Sequence, residues 1–357
     1  MWPSLLVVCT MMVFVAPLVP ALYEWRRRTD VAPLGIVPSH DGNVRHFADA
    51  FQRFIESRRE ALGTRAVGED AQEYAFVGEI ARSCGAGAFR PTPPELLARS
   101  TSRTILSDFS LWLPNDFSFL GEIYSRRDVR GGAGDRIRSV LALGDLAIER
   151  GSRVTRWAHA ATVRVAPDCE ILGRLSAVRR IALSPPCSFR RIQAPCIEFG
   201  LGSGPRSPAP VIARPVPGRE AAAPGPRAQK RWVVDGDAEL GRSARFNGDA
   251  VVRGSAVIRA EAEIAGSIKA HGTVALEPGA RVRRSVVARQ SVIVGHRCAV
   301  GGPIVSEREV IIGAESIVGS AKAPTTITAP VIRICAGAVV HGTVWARESG
   351  EAVERLT

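Results

Sequence analysis

Two histidines stand beside glycines in short apolar segments of the C-terminal half of the chain. His296 follows Val294-Gly295, and His341 lies between Val340 and Gly342. An imidazole titrates near neutral pH, so either side chain could act as a general base for a substrate that reached it. The same local sequence also fits a glycine that turns a corner beside a surface histidine, which is the preferred interpretation.

Two cysteines and a third histidine are the chemically active candidates of the first half. Cys169 and Cys187 are 18 residues apart, and a soft metal could bind between them if they lie in one column of a repeat. No further Cys or His completes a tetrahedral set at metal spacing, so we interpret both as small buried hydrophobes. His159, two residues after Trp157, could transfer protons, but a hydrogen-bonded core histidine is the expected state. We predict no metal site.

A glycine-rich segment, residues 200–205, has the composition of a phosphate-binding loop. It lacks the lysine of a P-loop, and no helix pattern follows it. Carboxylate pairs placed for acid–base catalysis are also absent from the sequence. No catalytic set emerges from these residues, so we predict no bound cofactor and a protein that is not an enzyme.

Internal repetition is the strongest pattern in the sequence. Residues 231–320 align without a gap in five rows of eighteen residues, and apolar or small residues fill positions 2, 4, 8, 10, 14 and 16. The rows begin at Arg231, Asp249, Ser267, Ser285 and Pro303. Position ten, the predicted core ladder, holds Leu240, Ile258, Leu276, Val294 and Ile312.

This spacing predicts the fold. Two apolar residues separated by one position form the buried face of a short strand, and three such pairs per row describe a three-sided coil. A single coil cannot bury its inward side chains, but coils stacked about 4.8 Å apart pair their backbones with both neighbours. Each buried Val, Ile or Leu then contributes about 1.5–3 kcal/mol before entropy is subtracted. We predict an all-β, parallel, triangular β-helix.

The first half of the chain repeats less regularly, in coils of 17 or 18 residues. Its predicted inward pairs include Leu111 with Leu113, Phe117 with Phe119, Trp157 with His159, Val163 with Val165, and Leu175 with Ala177. We expect a first array over 105–200, a Pro/Gly/Ala-rich linker over 201–230, a second array over 231–346 and a polar tail over 347–357. The sequence leaves open whether the arrays form one prism or two.

The N-terminus has the pattern of a membrane anchor. Residues 1–23 carry no charge, and an apolar run of this length can cross the hydrocarbon core as a helix. Trp25, Arg26, Arg27 and Arg28 follow, which suits the interface on the cytoplasmic side. A cleaved signal peptide would need a basic segment before the apolar run, and none is present. We predict a single-pass inner-membrane protein whose body faces the cytoplasm.

Residues 24–104 are expected to be a helical and irregular juxtamembrane region. A helix is predicted from Asp41 to Leu62, with Asp41 as its N-cap. Its apolar face comprises Val44, Phe47, Ala48, Phe51, Phe54 and Ile55. We expect this face to pack on the neighbouring domain. Residues 63–100 show no clear period.

The composition argues against two other classes of protein. The net charge is +12, but the basic residues are spread along the whole chain, so nucleic-acid binding is not expected. The seven cysteines include no CxxC pair, which does not favour a secreted disulfide framework. Reduced, buried thiols fit a cytosolic compartment better.

An N-terminal anchor followed by short coils rich in Val, Ala and Gly resembles the bactofilins, a family of bacterial polymer-forming cytoskeletal proteins. The resemblance is carried by rows 231–320 and by the ending 337–344 (GAVVHGTV). It implies a right-handed triangular β-helix that polymerises end to end without nucleotide, often at membranes. We predict a scaffold that positions envelope-related proteins and self-associates through its ends, because an uncapped terminal coil presents unpaired N–H and C=O groups and an apolar triangle to another copy.

A second family shares the six-residue rhythm. Residues 240–244, 294–298 and 312–316 match the aliphatic-Gly-x-x-small unit of the left-handed hexapeptide-repeat acyltransferases. That resemblance would make His296 or His341 the base and would imply acyl transfer to envelope sugars. A periplasmic coat protein, with the opposite membrane topology, is the third hypothesis.

Overall fold

A computed structural model describes Val19 and residues 45–61, 73–76, 79–84, 87–200 and 231–355. These residues form a parallel β-helix of about twelve turns with two helices, α1 (His46–Ala61) and α2 (Pro93–Ala98). The predicted all-β, parallel β-helix is therefore confirmed. Among the described residues, no helix is long and apolar enough to cross a membrane. The predicted anchor (residues 1–23, apart from Val19) and its flanking residues Trp25, Arg26, Arg27 and Arg28 lie outside the described residues.

The strands fall into two arrays. The first array contains β1 (Glu73–Phe76), β2 (Glu79–Cys84), β3 (Gly87–Ala88), β4 (Ser100–Thr101), β5 (Thr104–Ser107), β6 (Leu111–Trp112), β7 (Ser118–Ser125), β8 (Val129–Arg130), β9 (Arg136–Ala142), β10 (Asp145–Ile148), β11 (Arg153–Val165), β12 (Cys169–Leu183) and β13 (Cys187–Phe199). The second begins with β14 (Arg231–Val234), β15 (Ala238–Leu240), β16 (Arg245–Phe246), β17 (Asp249–Val252), β18 (Ala256–Ile258), β19 (Glu263–Ile264), β20 (Ile268–Ala270), β21 (Val274–Leu276) and β22 (Arg281–Val282). It ends with β23 (Val286–Ala288), β24 (Ser291–Val294), β25 (Ala299–Val300), β26 (Ile304–Ser306), β27 (Glu309–Ile312), β28 (Ile317–Val318), β29 (Thr325–Cys335) and β30 (Val339–Val353).

Three strands make one coil in the second array. β14 pairs with β17, β15 with β18 and β16 with β19, all in parallel, so each strand meets the strand three further along the chain. Position ten of the repeat is in register from coil to coil, and it continues from Ile312 to Ile334. Its members from Ile258 onward are buried in one continuous core. The eighteen-residue spacing thus aligns the same side chains along the prism.

In most coils one corner turns through a left-handed residue. In the second array these residues occupy position thirteen, and the first array has an equivalent series. They are Ser243, Glu261, Gly279, Arg297 and Glu315, then Asp116, Gly134, Gly151 and Asp168. A left-handed residue turns the chain sharply, and the residue that follows it, such as Ala262, Cys298 or Phe117, is buried.

The inward positions of β11 differ from the prediction by one residue. Ala158 and Ala160 face the core, where Ala158 pairs with Val140 of β9 and with Leu175 of β12. The register shifts between Val154 and Trp157, and an extra residue in a strand moves the following side chains to the opposite face. Trp157 and His159 therefore lie on the outside of the prism, and their prediction as an inward pair was wrong.

Helix α1 covers these outward side chains. Its residues Ala48, Phe51 and Ile55 are packed in a second apolar cluster, on the outer face of the first array. The prism contributes Leu106, Tyr124, Leu141 and Trp157 to this cluster. Phe51 lies edge-on to Trp157, with ring centroids 5.5 Å apart. The predicted packing of the helix on its neighbour is seen for these three residues, whereas Phe47 and Phe54 are exposed.

Two segments have more strand than the sequence indicated. Residues 73–101 contain β1 to β4, which are only two to six residues long, too short for a period to be visible. β30 extends to Val353, beyond the predicted start of the polar tail at 347, and pairs with β29 as far as Cys335–Val353. A neighbouring strand supplies backbone hydrogen bonds whatever the polarity of the side chains.

We expect Ile312→Ala to lower the free energy of unfolding by about 2–5 kcal/mol, because it leaves a cavity in the core ladder. Ile312 is 0% exposed, whereas Ile293 is 40% exposed and makes the matched control Ile293→Ala. The control should cost less than about 0.5 kcal/mol. Chemical denaturation followed by tryptophan fluorescence measures both, and equal losses would contradict the assigned register.

Candidate assembly interface

The C-terminal ends of the two arrays are joined to each other. β13 pairs with β30 in antiparallel orientation, with Ile192 opposite Val344 and Ile197 opposite Val340. Apart from the antiparallel β1–β2 pair, the other strand pairings of the described arrays are parallel. The arrays therefore form one prism in which the chain direction reverses at a single junction, a point that the sequence left open.

The order of the strands around the prism also reverses at this junction. Segment 187–189 of β13 pairs with 350–352 of β30, segment 191–194 with 342–345, and segment 197–198 with 339–340. The chain therefore passes the three faces in one order in β13 and in the opposite order in β30. Additional contacts cross the junction: the Arg191 guanidinium lies over the Trp345 ring at 4.9 Å, and Arg190 Nη1 donates to Arg347 O at 2.7 Å. Since the C-terminal coils face each other, the N-terminal coil of each array lies at the opposite end of that array from the junction.

The N-terminal coil of the second array, β14 to β16, has an apolar surface that no other described strand or helix covers. Its inward side chains Trp232, Val234, Leu240 and Phe246 are only partly buried. Their equivalents one coil further in are Ala250, Val252, Ile258 and Ile264, which are 1, 0, 1 and 0% exposed. Trp232 and Phe246 pack against each other, with ring centroids 5.6 Å apart. We call this surface the open end.

The backbone of the open end also lacks a partner among the described residues. Val234 O, Leu240 O and Phe246 O accept hydrogen bonds from Arg253, Arg259 and Ala265 of the next coil. Successive residues of a strand direct their N–H and C=O groups to opposite sides. The backbone groups of Val233, Glu239 and Arg245 therefore point away from the prism, as they would on any unpaired edge.

The N-terminal coil of the first array is covered. Phe89 is an inward residue of this coil yet only 3% exposed, and it packs edge-on against Phe117 and Phe119 at 5.9 and 5.6 Å. β1 pairs with β2 in antiparallel orientation and adds a reversed strand to its edge. Helix α2 fills the corner between β3 and β4, where Glu95 accepts a hydrogen bond from Thr92 N at 2.7 Å. We call this the covered end.

The two histidines named as candidate bases are not brought to one site. His296 is exposed at the corner between β24 and β25, with Nε2 3.9 Å from Glu315 Oε2. His341 lies in the junction, where its Nδ1 is 2.8 Å from Pro195 O. β25, β28 and β30 are successive strands of one face, so the two histidines lie about two coils apart.

The remaining candidates, Cys169, Cys187 and His159, are buried and uncharged at neutral pH. Cys169 and Cys187 are free cysteines that lie opposite each other in neighbouring strands of adjacent coils. Burial raises the pKa of Cys169 to about 11 and that of Cys187 to about 12, so both are protonated thiols at neutral pH. Burial, and then the Arg45 charge, lower the pKa of His159 to about 4, and its Nδ1 is 2.7 Å from Ser176 Oγ. In the described part of the chain, no group of three His, Cys, Asp or Glu could hold a metal.

Residues 238–345 match the family model of the bactofilins, described as polymer-forming cytoskeletal. This segment is bactofilin-like. The resemblance predicted from the eighteen-residue rows is thereby confirmed for the second array, including most of the coil at the open end and the first part of β30 at the junction. No curated protein and no solved structure matches the chain.

The sequence did not single out the open end of the bactofilin-like array. Trp232 and Phe246 were assigned to inward columns, but nothing in a column shows that its first member lacks a neighbour. The only available signal was their size, because aromatic residues begin columns that continue as aliphatic or small residues.

We expect Gly350→Ala to weaken the junction. A Cβ at Gly350 would meet the ring of Phe189 and lie 2.7 Å from Phe189 O, so one of the paired strands must shift. A Cβ at Gly241 would meet no other atom within 4 Å, so Gly241→Ala is the matched control. Denaturation should show a loss of about 1–3 kcal/mol for the first variant. The control should change stability by less than about 0.5 kcal/mol. Similar curves for both would argue against a tight junction.

Proposed function

We propose that the protein is a membrane-anchored β-helix scaffold that self-associates through the end of its prism and positions envelope-related proteins at the inner membrane. The observation that carries this proposal is the open end, with its partly exposed apolar side chains and strand edges that no other described strand pairs. The bactofilin-like second array supports the same class, since that family is described as polymer-forming and cytoskeletal.

The physical argument for self-association is the cost of leaving a coil half-paired. An exposed strand edge is a template for another strand, and proteins that avoid association cover it or place charges and bulges on it. The apolar side chains of Trp232 and Phe246 would gain about 25 cal/mol for each Å² of surface removed from water. A second open end supplies both the missing strands and the missing apolar cover.

The membrane part of the proposal rests on the sequence. The uncharged residues 1–23 are long enough to span a bilayer, and Arg26, Arg27 and Arg28 favour a cytoplasmic body. Arginines on the outside of the prism could add contacts with anionic lipid headgroups. The body would then lie beside the membrane, where envelope-building proteins work.

The acyltransferase alternative is less well supported. A base catalyst needs a ring nitrogen free to take a proton, and the Nδ1 atom of His341 is already hydrogen-bonded to Pro195 O at the junction. His296 stands alone at an exposed corner, with Glu315 as its nearest acid. The periplasmic coat alternative differs from the proposal in topology rather than in fold.

The full-length protein, purified in detergent without nucleotide or metal, should sediment as more than one chain at micromolar concentration. The chain mass is 38.2 kDa, so association is readily detected. A single-chain mass at every concentration would contradict self-association. Acetyl-CoA should leave the melting temperature unchanged, whereas a rise that depends on ligand concentration would favour the acyltransferase.

A phosphatase reporter fused after Thr357 should be inactive, and a fluorescent protein at the same position should be bright. Both results follow if the arginines after residue 23 stay on the cytoplasmic side. The matched control carries the fusions on a variant with Arg26, Arg27 and Arg28 changed to Glu, which removes the orienting charge. An active phosphatase on the unchanged protein would favour the periplasmic coat.

A further inference from the structure

A groove runs along the outside of the first array, across β6, β8, β10, β11 and β12. The outward side chains of these strands are in register from coil to coil. In order along the prism they are Trp112, Arg130, Ala147, Arg164 and Ala182. The residue before each of them is buried in the core, and side chains alternate between the two faces of a strand, so this row points outward.

The first basin of the groove lies between Trp112 and an ion pair. Arg130 Nε is 3.1 Å from Glu149 Oε1, and this pair forms a ridge across the groove. The basin has a volume of about 450 Å³, and the small residues Gly131 and Ala133 lie on its lining. Trp112 is 56% exposed. An exposed indole beside small residues is a platform for an apolar side chain.

The second basin lies beyond the ridge and has a volume of about 430 Å³. Its lining includes three small apolar residues, Ala147, Ala166 and Ala182. Arg164 also lines it, is exposed, and forms no ion pair within the described residues. By contrast, Arg130, Arg150 and Arg180 nearby are each paired with a carboxylate. The donors of Arg164 are therefore open to an acid from another molecule.

We propose that this groove binds an extended peptide segment of a partner protein, with an apolar side chain on Trp112 and an acidic side chain on Arg164. The inference rests on the proposed scaffold function and adds the chemistry by which a partner is held. The strands under the groove are already paired with their neighbours in the prism. The peptide is therefore held by its side chains and not as an added strand.

The spacing of the two anchoring residues sets the spacing in the peptide. Trp112 and Arg164 are three strand spacings apart in the row, which is roughly 14 Å. An extended chain advances about 3.4 Å per residue and places every second side chain on one face. Two side chains four positions apart therefore share a face and span about 13.5 Å. The peptide should carry its acidic residue four positions from its apolar residue.

The lining of the groove favours a peptide over a sugar or a nucleic acid. A sugar needs several hydrogen-bonding side chains around its aromatic platform, but Asn115 beside Trp112 already accepts a hydrogen bond from Ala133 N at 3.0 Å. A nucleic-acid strand needs a continuous basic track and stacking platforms for successive bases. Here Glu149 interrupts the arginines, and Trp112 is the single aromatic residue of the groove lining in the described structure.

Fluorescence anisotropy of a synthetic peptide with the full-length protein in detergent tests the assignment. The probe is a labelled ten-residue peptide of Ser and Thr that carries one Phe and one Glu four positions apart, made in both orders. We expect saturable binding of one order that weakens as salt is added. A comparison peptide with three positions between Phe and Glu sets them on opposite faces. It should bind at least about tenfold more weakly.

Variants of the protein test which side chains hold the probe. Arg164→Glu should raise the dissociation constant at least about tenfold, and it should bind a probe with Lys in place of Glu better than the unchanged protein does. Trp112→Ala should weaken both probes. Arg242→Glu is the matched control, because Arg242 is an exposed arginine of the second array without an ion pair in the described structure. Circular dichroism shows whether each variant has folded.

The outcomes separate this inference from the proposed function. No saturable binding, or binding that Arg164→Glu and Trp112→Ala leave unchanged, would overturn the groove assignment. Binding of tetragalacturonate, an acidic oligosaccharide, in place of the peptides would overturn the choice of a peptide. Single chains that still bind the probe would contradict self-association and leave the groove standing. Assembled chains that do not bind it would overturn the groove alone.

Discussion

Every coil of this protein depends on the coil next to it. A coil has too few residues to bury its own inward side chains, and both edges of its strands carry unpaired hydrogen-bonding groups until a neighbour is added. Inside an array, the eighteen-residue repeat meets this need automatically, since each new row supplies the same apolar columns in register. At the ends of an array the repeat stops, so the last coil has no further row to bury its inward side chains or to pair its strand edge.

The ends of the two arrays differ in how their apolar residues and strand edges are covered. The two C-terminal ends cover each other through the antiparallel pairing of β13 with β30, which turns two arrays into one prism. One N-terminal end is closed by Phe89, a reversed strand and helix α2. The other is left with Trp232 and Phe246 partly exposed. A strand edge that no other described strand pairs is a place where another strand could add.

The outer face of the prism, as well as its ends, packs against another element of the chain. A register shift before Trp157 turns Trp157 and His159 outward, and helix α1 packs over Trp157 together with Tyr124 and Leu141. This second cluster fixes helix α1 to the first array. Arg45, at the start of the helix, donates to Ala177 O at 3.2 Å and adds a polar contact to the same attachment. The helix is thereby held on the prism by packing and by a hydrogen bond, as well as by the chain.

The sequence by itself determined the parallel β-helix, the register of its core ladder and the resemblance of the second array to the bactofilins. These properties follow from a period of eighteen residues that places like side chains such as Ile258, Leu276 and Val294 in one column, and a period is visible without coordinates. Strands of two residues, such as β3 and β4, carry no period, and the shift before Trp157 depends on one extra residue whose position only the neighbouring strands reveal. Only the tertiary structure decided which ends of the arrays meet, which end is covered and which is open. Those relations are contacts between segments far apart in the chain, and a local pattern carries no information about which distant edge satisfies its hydrogen bonds.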